Sequence, residues 1–301
     1  MAITTPQPLP PSYKPTTSLT ALPATIPTPD ILSILARDGA LILTDLVSPS
    51  DLSAIDTELS PYHQRPDTST STALSLIPPE TLVIPGLVGK SATIARLCES
   101  PVLEALRTHI LRDEFSVLRE DVVEQHVIDP LLSISITLHI GPGAPRQRLH
   151  RDDNVHGIRH GGKFELRRAS QVGVLVAGSR TMRENGATMV VPGSHLWGDE
   201  RVPKVEEVCF AEMAPGSALI FLASCYHGGG HNSTLDSTRK MHGLFFVRGT
   251  LRTEENQFLA IPTEKVKGMS EGMWRLLGWR KPSSVLGIVD NGDAATKLLG
   301  A

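Results

Sequence analysis

The stretch Ser133-Ile134-Ser135-Ile136-Thr137-Leu138-His139-Ile140 alternates polar and apolar residues without a break, and no other segment limits the fold of this chain so tightly. Successive side chains of an extended strand point to opposite faces, so a period of two describes a half-buried strand. Gly141-Pro142-Gly143-Ala144-Pro145 then makes a turn. Further short apolar runs come at Val172–Ala177, Ala187–Val191, Ala218–Ala223 and Leu244–Val247, separated by Gly, Pro and Asn. Short strands punctuated in this way predict a sandwich or barrel and argue against a βαβ fold.

The front of the chain has a different texture. Residues 1–29 carry Pro6, Pro8, Pro10, Pro11, Pro15, Pro23, Pro27 and Pro29, a density that prevents a regular helix or a central strand. An extended arm or a disordered lead-in is expected there. From Asp30, read as an N-cap, Ile31, Leu32, Ile34 and Leu35 recur at helical spacing, and Gly39 ends the helix. Ala40–Leu46 suggests a short buried strand, and Ser48-Pro49-Ser50-Asp51 opens a second helix through Leu59. Residues 60–80 suggest a long polar surface loop of the kind that often forms a lid, and 91–111 are helical again. The expected architecture is α+β and mainly β. An arm over 1–29 precedes one domain over 30–301, in which N-terminal helices flank a double-sheet jelly roll.

Composition removes several function classes. A net charge of −3 over 301 residues gives no basic stripe for nucleic acid. No apolar run is long enough to span a membrane, and the first residues lack the apolar core of a secretory signal, so a cytoplasmic protein is expected. Cys98, Cys209 and Cys225 form neither a disulfide framework nor a zinc knuckle and fit buried reduced thiols.

The chemistry lies in Leu149-His150-Arg151-Asp152-Asp153 and Tyr226-His227-Gly228-Gly229-Gly230. A His-x-Asp in an extended segment points an imidazole and a carboxylate the same way. One more imidazole from a distant strand completes a triad on one face of an octahedral metal, the donor set of non-haem Fe(II) oxygenases. His227 follows a buried strand and precedes three glycines that allow close backbone approach. Taken alone, a His-x-Asp in a chain of 11 histidines is weak evidence. Arg239 adds a planar fork suited to the distal carboxylate of a 2-oxoacid dicarboxylate. Lys240 and Arg248 compete for that role.

Gln147-Arg148-Leu149-His150-Arg151-Asp152-Asp153, Glu184-Asn185-Gly186-Ala187-Thr188 with Pro192-Gly193-Ser194-His195, and His227-Gly228-Gly229-Gly230 together resemble the phytanoyl-CoA dioxygenase superfamily. More narrowly, they are similar to its fungal Fe(II)/2-oxoglutarate oxygenases of secondary metabolism. Similarity continues through Asp38-Gly39-Ala40, Gly86–Ser91, Glu254-Glu255-Asn256-Gln257 and Leu286–Asp290, so it covers nearly everything after residue 30. The resemblance implies a double-stranded β-helix (cupin-like jelly roll), often a homodimer. It implies iron on His150, Asp152 and His227, 2-oxoglutarate paired with Arg239 and hydrogen-bonded by Gln147 and Thr188, and O2 as the oxidant. A carboxylate at Asp152 argues against halogenation.

The implied substrate is a bulky, largely apolar small molecule such as a meroterpenoid or alkaloid intermediate, oxidised at a C–H bond by hydroxylation, desaturation or rearrangement. The 60–90 loop, the 153–165 loop and Met273–Trp279 are candidate pocket walls, although Trp274 and Trp279 fit the core better. His231 departs from the family pattern and is a substrate contact, a supporting group or a rival ligand. His156 and His160 are expected to be solvated or substrate-facing, His195 to fix a turn, and Glu184 to be a loop carboxylate. Rival readings are a fatty acyl-CoA hydroxylase of the same superfamily, a zinc cupin hydrolase or isomerase, and a non-catalytic cupin binding module. The first would want a basic cluster for CoA phosphates and a peroxisomal address, which Lys297–Ala301 does not match. The second has no use for a dicarboxylate clamp.

Overall fold

The computed structural model describes residues 6–63, 77–78 and 80–299. The proline-rich arm contributes a strand of its own. Ala21–Pro23 (β1) lies parallel to Ala40–Thr44 (β2), with Ala21 opposite Ile42. It sits at the sheet edge, where a residue without N–H disturbs pairing least. Helix α1, Thr28–Asp38, starts before Asp30; its N-cap is Pro27, with Pro29 in the first turn. The fixed φ of proline suits that turn, and its missing N–H would have had no helical partner. Asp30 therefore meets the helix dipole from inside the first turn instead of capping it. Gly39, at φ 75°, closes α1 by donating to the Leu35 carbonyl.

Helix α2, Pro49–Leu59, is capped by Ser48, whose hydroxyl accepts from the Asp51 N–H. The single helix expected over 91–111 is two, α3 (Ala92–Cys98) and α4 (Pro101–Leu111). Pro101 cannot continue α3 and instead starts α4. Most of the expected 60–80 loop lies outside the described residues.

The remaining strands are β3 (Thr81–Pro85), β4 (Asp113–Arg119), β5 (Val122–Ile128), β6 (Leu131–Ile140), β7 (Gln171–Ala177), β8 (Met189–Val190), β9 (Cys209–Phe210), β10 (Ala218–Leu222), β11 (His227–Gly228) and β12 (Arg239–Val247), followed by a short C-terminal pair, β13 (Ile288–Val289) and β14 (Gly292–Asp293). The major sheet runs β1-β2-β10-β7-β12-β6-β3, and a minor sheet runs β11-β8-β9. β4 and β5 form a separate hairpin. Apart from β1 and β2, the paired strands are antiparallel. The outcome is the expected double-stranded β-helix, with helices on the outer face of its larger sheet.

Both faces of the major sheet are covered. Val172, Val174, Val176, Ala218, Ile220 and Leu222 join Ile31, Leu35 and Leu103 in the helix-side core. Leu175, Ala177, Leu219 and Phe221 face inward with Val190 and Cys209 of the minor sheet. This explains why β7 and β10 read as unbroken apolar runs. Trp274 and Trp279 belong to the helix-side core, with Trp274 donating to the Val266 carbonyl.

β6 differs. Ser133, Ser135 and Thr137 are buried although polar. Ser135 accepts from the Leu87 N–H and Thr137 shares a hydrogen bond with His242, so these hydroxyls are satisfied. The apolar residues Ile134, Ile136, Leu138 and Ile140 instead face a cavity between the sheets. Pairing steps from Phe245 opposite Ile134 to Phe246 opposite Leu132, which leaves Ser133 as the extra residue of a β-bulge.

Candidate metal centre and cosubstrate cleft

His150 and His227 are cross-strand neighbours. Each backbone N–H donates to the other's carbonyl, at 2.9 and 3.0 Å, in an isolated antiparallel bridge. Directly opposite residues of such a pair project from the same face. Their rings lie 4.7 Å apart between centroids. Asp152 is not in a continuing strand: it begins a 3-10 turn over Asp152–His156, fixed by its N–H to the Ala223 carbonyl at 3.0 Å. His-x-Asp thus acts through a bridge and a turn rather than through strand alternation.

The three donors converge. His150 Nε2 and His227 Nε2 lie 3.4 Å from Asp152 Oδ1 and Oδ2 respectively. All three ligand atoms fall within 4.8 Å of one another. Donors about 2 Å from one ion at right angles would be roughly 3 Å apart, so the set fits a shared metal after a small contraction. Backbone carbonyls orient the rings: His150 Nδ1 faces the Arg148 carbonyl at 2.7 Å, and His227 Nδ1 the Cys225 carbonyl at 3.1 Å. A proton on each Nδ1 leaves both Nε2 lone pairs facing the centre. Burial would raise the Asp152 carboxyl, but His227 and His150 outweigh it and hold it well below the usual carboxylate range. Burial likewise opposes charge on His150, and Asp152 overrides it, so that imidazole is raised.

The glycines after His227 let two segments close on the site. A Cβ on Gly230 would sit 2.5 Å from the Ala187 carbonyl oxygen. Gln147 is tied to Gly229 twice, donating its own N–H to the Gly229 carbonyl at 2.8 Å and accepting the Gly229 N–H on Oε1 at 2.7 Å.

Arg239 is 1% exposed, and among the described residues no carboxylate pairs with it. Its Nη1 donates to Thr188 Oγ1 at 3.3 Å, and its Nε has no partner. Burial alone pushes its pKa down to about 10. An uncompensated buried cation costs several kcal/mol, so the position calls for an anion. The other two candidate cations are already partnered. Lys240 points to the opposite face and pairs with Asp56 at 2.9 Å. Arg248 is bound to Asp113 and to the Ala169 carbonyl.

A cavity of about 190 Å³ holds the triad, Gln147, Thr188 and Arg239 together. Its walls are the apolar face of β6, Leu175, Met241 and Phe245, with Ile77, Pro78 and Thr81 at one side. Neither the 153–165 loop nor Met273–Trp279 lines it, contrary to expectation; those side chains serve the helix-side core and a polar network. His160 is in that network, not solvated, set between Asp199 at 2.8 Å and Asp153 at 3.1 Å. The expectation for His156 is also corrected: its Nε2 is buried, and it does not line the cavity. His231 faces the Ala144 carbonyl in a separate groove that also includes Glu184, so it is no rival ligand. His195 packs on the turn at Gly39, where a Cβ would meet its ring at 2.4 Å. Sequence reasoning missed Glu254, a carboxylate on the cavity wall, whose only signal was its place in a shared motif.

Comparison with known proteins places this arrangement. The profile of the phytanoyl-CoA dioxygenase family matches residues 35–241. The chain belongs to that family. Dioxygenase swnH1 of Metarhizium robertsii is 57% identical over 294 residues, covering 97% of this chain and 96% of the relative. Dioxygenase peniF of Penicillium patulum is 35% identical over 272 residues, covering 87% and 86%. Among solved structures, HygX of Streptomyces hygroscopicus, crystallised with nickel and 2-oxoglutarate, superposes with a TM-score of 0.57 at 16% identity over 76% of this chain and 90% of that one. That likeness is one of fold. His150, Asp152 and His227 are the only cluster of three metal-ligating side chains among the described residues, and together they could hold a metal ion.

Proposed function

We propose that this protein is an Fe(II)- and 2-oxoglutarate-dependent oxygenase that oxidises a C–H bond of a secondary metabolite with a largely apolar skeleton. The observation that carries this reading is Arg239, a buried guanidinium lacking a carboxylate partner, facing the same cavity as the triad. His150, Asp152 and His227 would hold iron from one side and leave the other side to the cavity. Arg239 and Thr188 would bind the distal carboxylate of 2-oxoglutarate, and the Gln147 amide would donate to the cosubstrate. When bound there, iron and 2-oxoglutarate would supply the oxidation of a C–H bond by O2, with 2-oxoglutarate consumed to succinate and CO2. Ile134, Ile136 and Phe245 keep the cavity dry and orient the substrate.

A zinc hydrolase would use the triad but would leave Arg239 without an anion. The reading extends to a cytoplasmic homodimer. Three unpaired buried thiols suit a reducing compartment, and exposed Leu118, Val122 and Val123 on the β4–β5 hairpin offer surface for a second copy to cover. Oxygen consumption with succinate release tests the activity. It is expected to require both Fe(II) and 2-oxoglutarate and to vanish in Asp152→Ala; uptake indifferent to either would overturn the reading.

A further inference from the structure

We propose that Arg151 and Ser194 are positioning residues that yoke the two chain segments carrying the triad and set its metal-binding geometry from behind. The inference rests on the oxygenase reading and adds to it the groups that hold His227 against His150 and Asp152.

Strand alternation puts these residues on the reverse side of the site. Val190 faces the inner core, whereas Met189 and Val191 turn the other way and pack with Tyr226 and Trp197. Tyr226 directly precedes His227, and Arg151 lies between His150 and Asp152. The Arg151 guanidinium carbon sits 4.3 Å from the centre of the Tyr226 ring, so a cation–π contact joins the two segments behind the ligands. Arg151 is 2% exposed, and its fork closes on one turn. Nη2 donates to the carbonyls of Ser194 at 2.9 Å and Trp197 at 2.8 Å, and Nη1 reaches Asp199 at 3.2 Å. Asp199 partners the buried charge, so the guanidinium is fixed without drawing on the triad.

Ser194 completes the yoke. Its carbonyl holds Arg151, and its hydroxyl accepts the Tyr226 N–H at 2.8 Å. The other end of that same peptide unit is the Cys225 carbonyl, which faces His227 Nδ1 at 3.1 Å. One peptide plane is thus pinned between Ser194 and the His227 imidazole, and its tilt sets where Nε2 points. The hydroxyl's own proton is directed to Cys225 Sγ at 3.4 Å, because that thiol donates to the Val191 carbonyl. Ser194 is fully buried, so removing its hydroxyl would leave the Tyr226 N–H without an acceptor. The Pro192-Gly193-Ser194-His195 motif thereby acts on the metal centre although none of its residues lines the cavity.

The test is Co(II) titration of the metal-free full-length protein, read by calorimetry and by the visible absorption of the bound ion, alongside the melting temperature before metal is added. Ser194→Ala and Arg151→Lys are each expected to weaken Co(II) binding about 10–100-fold and to alter its spectrum. The double variant should be little worse than the worse single one, because both act through the same peptide and ring. Tyr226→Leu should weaken Co(II) binding likewise, and Tyr226→Phe should restore it. An arginine that only filled the back of the minor sheet would lower the melting temperature alone. Parent-like Co(II) affinity and spectrum in Ser194→Ala and Arg151→Lys, or losses that add in full in the double variant, overturn the proposal while leaving the oxygenase reading intact. Parent protein that binds no Co(II) overturns both.

Discussion

Arg239 Nη1 lies 3.3 Å from the hydroxyl of Thr188, and that hydroxyl is the only oxygen the buried guanidinium reaches among the described residues. Nη1 also lies 3.9 Å from Met241 Sδ, and the buried Nε has no partner. Arg239→Met should therefore keep or raise the melting temperature without 2-oxoglutarate, because it removes an unpaired buried charge. Affinity for 2-oxoglutarate should fall on the order of 10²-fold, since truncating one partner of a buried charge pair costs about 2–5 kcal/mol. Lys240→Ala should leave that affinity unchanged and cost at most about 1 kcal/mol of stability. Calorimetric titration of the three proteins checks this; the reverse order would place the anion elsewhere.

Phe221 connects the major sheet to the metal centre. Its ring lies 4.4 Å from that of His227, and it covers Gly173 so closely that a Cβ there would approach within 2.3 Å. Gly173→Ala should push Phe221 toward His227, costing about 1–3 kcal/mol of stability as overpacking does. It should also weaken metal binding several-fold, and Gly173→Ala with Phe221→Leu should recover it. Metal affinity unchanged by the single substitution would contradict this coupling.

Acid stability should depend on His242. Burial holds its imidazole down to about 4, against an ordinary 6.5. Its Nδ1 shares a 2.8 Å hydrogen bond with Thr137, and its Nε2 is buried without a partner. His139, on the same face of the sheet, is also lowered to about 4 by burial, with His63 beside it. Below 6.5 the unfolded chain gains protons that the folded protein refuses until about 4. Stability is therefore full above that window and is lost as pH falls through it. His242→Gln should lose less stability than the parent between about pH 7 and about pH 4.5, as read from denaturant midpoints. An equal loss would show that another group governs the acid limb.

Legibility in the sequence followed the range of the interactions. His150 and Asp152 were legible because the motif is local, and His227 because a buried strand and three glycines frame it. β7 and β10 were legible as apolar runs. β1 was not, because Ala21–Pro23 is an edge strand whose pairing with β2 leaves no apolar period. The β4–β5 hairpin was missed because it carries exposed Phe115, Leu118, Val122 and Val123 among charges, and so lacks a core face. The alternation of β6 gave the strand but not its orientation. Which face meets the cavity depends on distant partners, the Leu87 N–H for Ser135 and the His242 ring for Thr137, and the bulge at Ser133 depends on pairing with β12. Of the cavity wall only the part from the 60–90 segment, Ile77, Pro78 and Thr81, was legible; Ile134, Ile136 and Phe245 meet only in the folded sheet.

The central claim is that His150, Asp152 and His227 hold one Fe(II) ion beside a 2-oxoglutarate anchored by Arg239. Anaerobic addition of Fe(II) and then 2-oxoglutarate, followed by visible absorption, tests it most directly. A charge-transfer band is predicted in the parent protein, absent in Asp152→Ala and His227→Ala, and requiring far more 2-oxoglutarate in Arg239→Met. No band in the parent at saturating 2-oxoglutarate, or an undiminished band in Asp152→Ala, would contradict the account.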